Sequence, residues 1–273
     1  MAERMIGPIP QIGFGTWQRE GQEAYACTLA ALEAGYRHID TAEGYGNEEE
    51  VGQAIKDSGV PRAEIFVTTK VAPESFGPGQ IRPHAEASLR KLGLDKVDLL
   101  LLHWPSIHDE YPMEDYVGQF AAVYDAGLTH HIGVSNFTIR HLDRALELLG
   151  DRPIATNQCE IHPLMQNRPI VDHCRAKGIP MTAYCPLARG KVLGNPVLKE
   201  IGRAHGADEA QVSLAFLMAE GHVVIPSSSK PERIATNLAA RDIVLTEGEV
   251  ARIRGIDAEQ RQVDGDWAPD WDK

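Results

Sequence analysis

Eight short apolar runs, rich in β-branched residues and separated by longer amphipathic stretches, set the terms for any fold this chain can adopt. The runs occupy 11–15, 37–40, 65–70, 97–103, 131–135, 155–160, 180–184 and 222–226. Between them lie stretches of helical period such as 23–34, 47–58, 80–92 and 138–149. Strands alternating with helices imply right-handed βαβ units and a parallel sheet. Eight such units suit a closed α/β barrel, a (β/α)8 TIM barrel, better than an open sheet, and 273 residues suit the roughly 250 of a single such barrel. We therefore expect one domain over 1–273, with 258–273 as a C-terminal tail over the barrel mouth. The helical stretches 208–220 and 246–257 exceed the minimum and are expected to pack outside.

Composition narrows the setting. The N-terminus has no apolar run suited to a signal peptide, and no stretch approaches the ~20 apolar residues of a membrane span. Cys27, Cys159, Cys174 and Cys185 lack zinc-ligand spacing and read as free thiols, so a cytoplasmic protein is expected. A net charge of −12 argues against nucleic acid or an anionic membrane as partner. His130, His131, His141, His162 and His173 fall on different elements without paired spacing, so no metal is expected.

Polar residues gather where the runs end: Asp40, Lys70, His103, Ser135-Asn136, Gln158 and Glu160, Tyr184, and Pro226-Ser227-Ser228. In a parallel barrel those ends converge on one mouth, where such enzymes do their chemistry. Gly13-Phe14-Gly15 with Asp40 imitates a dinucleotide fingerprint, but Gln18 occupies its third glycine position.

Asp40, Tyr45, Lys70 and His103 lie on consecutive loops of this mouth and form a possible proton-transfer set. Singly, each has a plainer reading: a helix cap, a loop anchor, a solvated strand end, a core histidine. Together they divide the work. A free phenol titrates near ~10, too high for efficient proton exchange at neutrality. Lys70 would lower the pKa of Tyr45 by ~1–3 units, and Asp40 would neutralise the lysine. His103 would orient a carbonyl oxygen while Tyr45 protonates it. No side chain can supply hydride, so a nicotinamide is required.

These residues sit within motifs that resemble the aldo-keto reductase family along essentially the whole chain. The resemblance rests on Gly35-Tyr36-Arg37-His38-Ile39-Asp40-Thr41-Ala42 with Tyr45 and Asn47-Glu48, and on Thr68-Thr69-Lys70. It continues through LLLLHWP at 99–105, IGVSNF at 132–137, NQCEIHP at 157–163, AYCPL at 183–187 and VIPSSSKPERIATN at 224–237. It implies that Asp40, Tyr45, Lys70 and His103 are a catalytic tetrad. It also implies that Ser135, Asn136 and Gln158 hold the cofactor carboxamide and that Tyr184 stacks on the nicotinamide, with Leu187 and Ser227 also at the cofactor. By the same resemblance Ser228 and Arg233 contact a 2′-phosphate and Asn237 the adenine, with Lys230 near enough to assist. Ser227 replaces the lysine that NADPH-using members usually carry after the proline, so NADPH is expected and NADH remains possible.

Within the family, the short N-terminus, the Ile-Pro-Ser-Ser loop and the tail from Trp267 to Asp272 are similar to the bacterial 2,5-diketo-D-gluconate and methylglyoxal reductase branch. The N-terminus looks too short for the complete β-hairpin that plugs the barrel floor in many relatives. Trp17, Trp104, Trp267 and Trp271 are candidate pocket walls, and Val71-Ala72-Pro73 in place of an aromatic suggests an open pocket. The expected partner is a small carbonyl substrate, and the resemblance implies a monomer. Two other functions stay open: a catalytically weak nucleotide-binding sensor or regulatory barrel, and a Schiff-base aldolase using Lys70.

Overall fold

The computed structural model describes residues 4–272. Its centre is an eight-stranded parallel sheet in simple sequence order. The strands are β1 (Phe14–Gly15), β2 (His38–Asp40), β3 (Phe66–Val71), β4 (Val97–Leu102), β5 (Thr129–Ser135), β6 (Ile154–Glu160), β7 (Met181–Tyr184) and β8 (Val223–Val224). The sheet closes on itself at its seam. Ile12 bridges Val224 in parallel, the Gly13 amide donates to Val224 O (2.8 Å) and the Val224 amide to Gln11 O (2.9 Å). Every expected run thus becomes a barrel strand.

Helices α1 (Gly21–Ala34), α2 (Glu48–Asp57), α3 (Ile81–Leu92), α4 (Met113–Asp125), α5 (Ile139–Leu149) and α6 (Arg168–Ala176) each follow one strand. Two helices, α7 (Pro196–His205) and α8 (Glu209–Ala219), separate β7 from β8, and α9 (Pro231–Ala239) and α10 (Glu247–Arg254) follow β8. Two helices do exceed the barrel minimum, but one of them differs from expectation. Residues 212–218 of α8 are buried without a break, and α8 packs on β8 and α9 as a member of the ring. A helix apolar on all faces needs cover on all faces. The outer layer is instead α7, which buries only Leu198, Ile201 and Gly202, together with α10. Capping boxes start α8 (Asp208 with Gln211) and α10 (Thr246 with Glu249), each satisfying amides that the first turn leaves without partners.

The N-terminus corrects a second expectation. Met5–Ile6 and Ile9–Pro10 form a short antiparallel hairpin. Its Ile9 is fully buried among Leu99, Leu101, Ala155 and Val223 inside the barrel floor. Two residues per strand suffice because the turn drives one large apolar side chain into the hole. Just above, Gly13 passes so close to His38 that a Cβ would stand 2.5 Å from its Nδ1, and only glycine fits. Among the described residues, no helix is long and apolar enough to cross a membrane.

Candidate active site

The register of the barrel brings the ends of β2 and β3 together. Asp40 pairs with Thr68, so Lys70 projects beyond it at the mouth, where its chain is fully buried. The Lys70 Nζ donates to Asp40 Oδ1 (2.5 Å), to Thr41 O (2.7 Å) and to the Tyr45 hydroxyl (3.3 Å). An ammonium has three hydrogens, and all three have acceptors. The Tyr45 hydroxyl lies 3.5 Å from His103 Nε2. The four residues singled out in the sequence therefore form one connected chain.

Burial and charge compete at each of these groups. Burial opposes the Lys70 charge, yet Asp40 and Tyr45 together outweigh it and hold its pKa above the ordinary 10.5. Burial, followed by the Lys70 charge, pushes His103 well below 6.5, so its imidazole is neutral at physiological pH. Tyr45 departs from expectation. Burial raises its pKa above 10 and exceeds the opposing pull of Lys70. The lysine offsets the desolvation of a phenolate without overcoming it, so the free protein holds Tyr45 as an acid. This ammonium is also a poor amine nucleophile, with no lone pair and every hydrogen engaged, which disfavours Schiff-base chemistry.

A cavity of about 790 Å³ opens onto this chain. Asp40, Tyr45 and His103 line it, as do Ser135, Asn136, Gln158, Tyr184, Leu187 and Ser227. Gln158 Nε2 donates to Asp40 Oδ2 (2.8 Å), which leaves its carbonyl oxygen as an acceptor. Asn136 is held in the left-handed region at φ 61°; its Nδ2 donates to His103 O and Ser135 Oγ, and its Oδ1 accepts from the Tyr184 hydroxyl (2.8 Å). Amide edges beside an aromatic wall fit the carboxamide and ring of a nicotinamide. Ser228, Lys230, Arg233 and Asn237 lie outside the cavity wall, on the loop and helix that continue from Ser227. Lys230 precedes α9 without a side-chain cap and Arg233 is exposed on its first turn, so an uncapped helix N-terminus and a guanidinium share that end. This donor set fits a phosphate.

Trp17, Trp104 and Trp267 line the outer cavity, whereas Trp271 does not. Trp271 packs edge-on against Trp104 with centroids 6.0 Å apart, and the Arg261 guanidinium lies 3.8 Å from its ring. The tail is tied down elsewhere too. The buried Glu160 carboxylate accepts from the amides of Gln262 (2.6 Å) and Val263 (2.8 Å), and Asp272 accepts from Ile139 at the start of α5 (2.9 Å). Sequence reasoning missed Arg19, Cys185, Arg189 and Val263, which also line the cavity. Arg189 follows the AYCPL motif by two residues and sets its guanidinium 5.0 Å from the Trp17 ring, but neither periodicity nor spacing marks it. Among the histidines, His162 lies 2.9 Å from Glu160 and His173 lies 3.0 Å from Asp143. Among the described residues, no three potential metal ligands come together.

The sequence profile of the aldo/keto reductase family matches residues 11–258. A methylglyoxal reductase of Yersinia pestis is 43% identical over 97% of this chain and 99% of its own. The glycerol 2-dehydrogenase (NADP(+)) of Saccharomyces cerevisiae is 38% identical over 96% and 92%. Among solved structures, one provisionally assigned as a 2,5-diketo-D-gluconic acid reductase B superposes with a TM-score of 0.93 at 40% identity, covering 98% of this chain and 95% of that one. An aldose reductase of Schistosoma japonicum superposes at 0.88 with 33% identity, over 93% and 91%.

Proposed function

The chain belongs to the aldo/keto reductase family and is an NAD(P)H-dependent oxidoreductase, and from that premise we propose that it reduces small aldehydes and ketones with NADPH, using Tyr45 as proton donor. Methylglyoxal and 2,5-diketo-D-gluconate are the substrates we would rank first, from the names of its relatives. We further infer a cytoplasmic monomer acting on dissolved carbonyl compounds. The observation that carries this reading is the Asp40–Lys70–Tyr45–His103 chain at the floor of an open cavity.

A nicotinamide cofactor, when bound, would supply the hydride. The protein's residues do the rest. Asp40 keeps Lys70 charged inside the barrel, and Lys70 directs one hydrogen at the Tyr45 oxygen. That charge matters most once the proton has left, because it stabilises the phenolate that remains. Neutral His103, in the tautomer with hydrogen on Nε2, can donate to a carbonyl oxygen placed between itself and Tyr45. Ser135, Asn136 and Gln158 would hold the carboxamide, and Tyr184 would face the ring. Leu187 and Ser227 border the same site, while Ser228, Lys230 and Arg233 would take the 2′-phosphate and Asn237 the adenine. Trp17, Trp104 and Trp267 would wall the substrate side and limit water.

The test is loss of the near-ultraviolet absorbance of reduced nicotinamide, with NADPH and NADH compared on methylglyoxal, 2,5-diketo-D-gluconate and a simple aromatic aldehyde. We expect oxidation of NADPH with at least one of them. Tight NADPH binding with no oxidation on any carbonyl would favour the sensor barrel.

A further inference from the structure

Tyr45 stands on a single 3-10 turn, Glu43–Tyr45, between Gly44 and Gly46, the latter at φ 66°. Glycines on both sides leave that turn locally loose. The hydroxyl's own contacts are long, at 3.3 Å to Lys70 and 3.5 Å to His103, and the ring adds an edge-on contact with His103 at 5.4 Å. Its position also depends on the neighbouring anchors. On the downstream side Asn47 is fully buried and donates to Thr16 O (3.0 Å) and Arg19 O (2.8 Å). On the upstream side is Glu43, whose carboxylate side chain is only 12% exposed.

Glu43 makes contacts that span two loops. Its Oε1 accepts from the Ala72 amide (2.6 Å) and the Ser75 hydroxyl (3.1 Å). Its Oε2 lies 2.8 Å from His84 Nδ1, and that nitrogen is 3.0 Å from Ser75 Oγ. Ala72 and Ser75 belong to the segment that follows Val71, the last residue of β3 and the one after Lys70, and His84 is on α3. The carboxylate thus joins a point two residues before Tyr45 to a point two residues after Lys70.

We propose that Glu43, steadied by His84, is a positioning residue that sets the distance between the Tyr45 phenol and the Lys70 ammonium. The proposal rests on Tyr45 being the proton donor. Glu43 touches neither of these two groups; it joins the segments that carry them. A misplacement of ~1 Å at reacting groups can lower turnover by ~10²-fold, so such a clamp acts on the chemical step more than on binding.

The test compares the full-length parent with Glu43→Ala, Glu43→Gln, His84→Ala and His84→Asn. It measures kcat and KM on one carbonyl, cofactor affinity by tryptophan fluorescence, and the folded fraction at the assay temperature. Glu43→Ala should lower kcat by ~10–100-fold while KM and cofactor affinity stay within ~2-fold. Glu43→Gln should recover to within ~5-fold of the parent, because its amide oxygen still accepts from Ala72. His84→Asn should turn over faster than His84→Ala, and this pair decides the matter if Glu43→Ala does not fold. A Glu43→Ala enzyme with parental kcat, or equal rates for the two His84 variants, would overturn the clamp while leaving the reductase intact. A parent inactive on every carbonyl would remove both.

Discussion

At the scale of single residues, the buried ammonium of Lys70 decides what its neighbours can do. It holds a phenol, a carboxylate and a backbone carbonyl around one charge, and desolvation still keeps the phenol protonated. In the proposed mechanism Tyr45 therefore enters the reaction as an acid, and the lysine matters through the phenolate that follows. Tyr45→Phe removes the donor and leaves every cofactor-facing side chain in place. It should lower kcat by ~10²–10⁴-fold with cofactor affinity nearly unchanged, as measured by steady-state kinetics and fluorescence titration. Equal turnover in the variant would take Tyr45 out of the mechanism. The tetrad was legible in the sequence because each member ends a strand or opens the loop after it. The balance of Tyr45 was not, since it depends on how much water the barrel mouth excludes.

At the scale of elements, the start of α9 is where the proposed function places the choice between the two nicotinamide cofactors. Lys230 leaves the first amides of the helix without a side-chain cap, and Arg233 stands exposed one turn in. The helix is itself fixed to the barrel by the Tyr36 hydroxyl, which donates to Ile234 O (3.2 Å). Arg233→Ala should therefore raise the Kd for NADPH much more than that for NADH, the cofactor without a 2′-phosphate. An equal change for both would show that Arg233 does not read that phosphate. Pro231 at the first position of this element suits a helix start. Local sequence marked the outer layer less well. The 208–220 stretch reads as a helix from its own residues, and only its burial on every face shows that it belongs to the ring while Pro196–His205 lies outside.

The whole molecule carries a cost in acid. Burial pushes His38, His141 and His222 from 6.5 to about 4, since each is enclosed by the barrel or its helices. In the unfolded chain these side chains take up protons near pH 6.5, and in the folded one only near 4. Protonation thus favours the unfolded state, and stability falls as pH drops through this window. The urea midpoint should be lower at pH 5 than at pH 7. A midpoint unchanged over that range would mean that these histidines are charged at no cost inside the fold.

What the sequence alone determined is the set of strands, the barrel they make and the identity of the polar groups at its mouth. Those features are written locally, in runs of β-branched residues and in what ends each run. Only the tertiary structure decided which elements cover which. A hairpin of two-residue strands seats Ile9 in the floor, Glu160 gathers in the tail, Trp271 braces Trp104 without joining the cavity, and Glu43 meets Ala72, Ser75 and His84. The physical reason is that a carboxylate accepts from any donor brought within reach, and its own neighbours in sequence do not say which donor that will be.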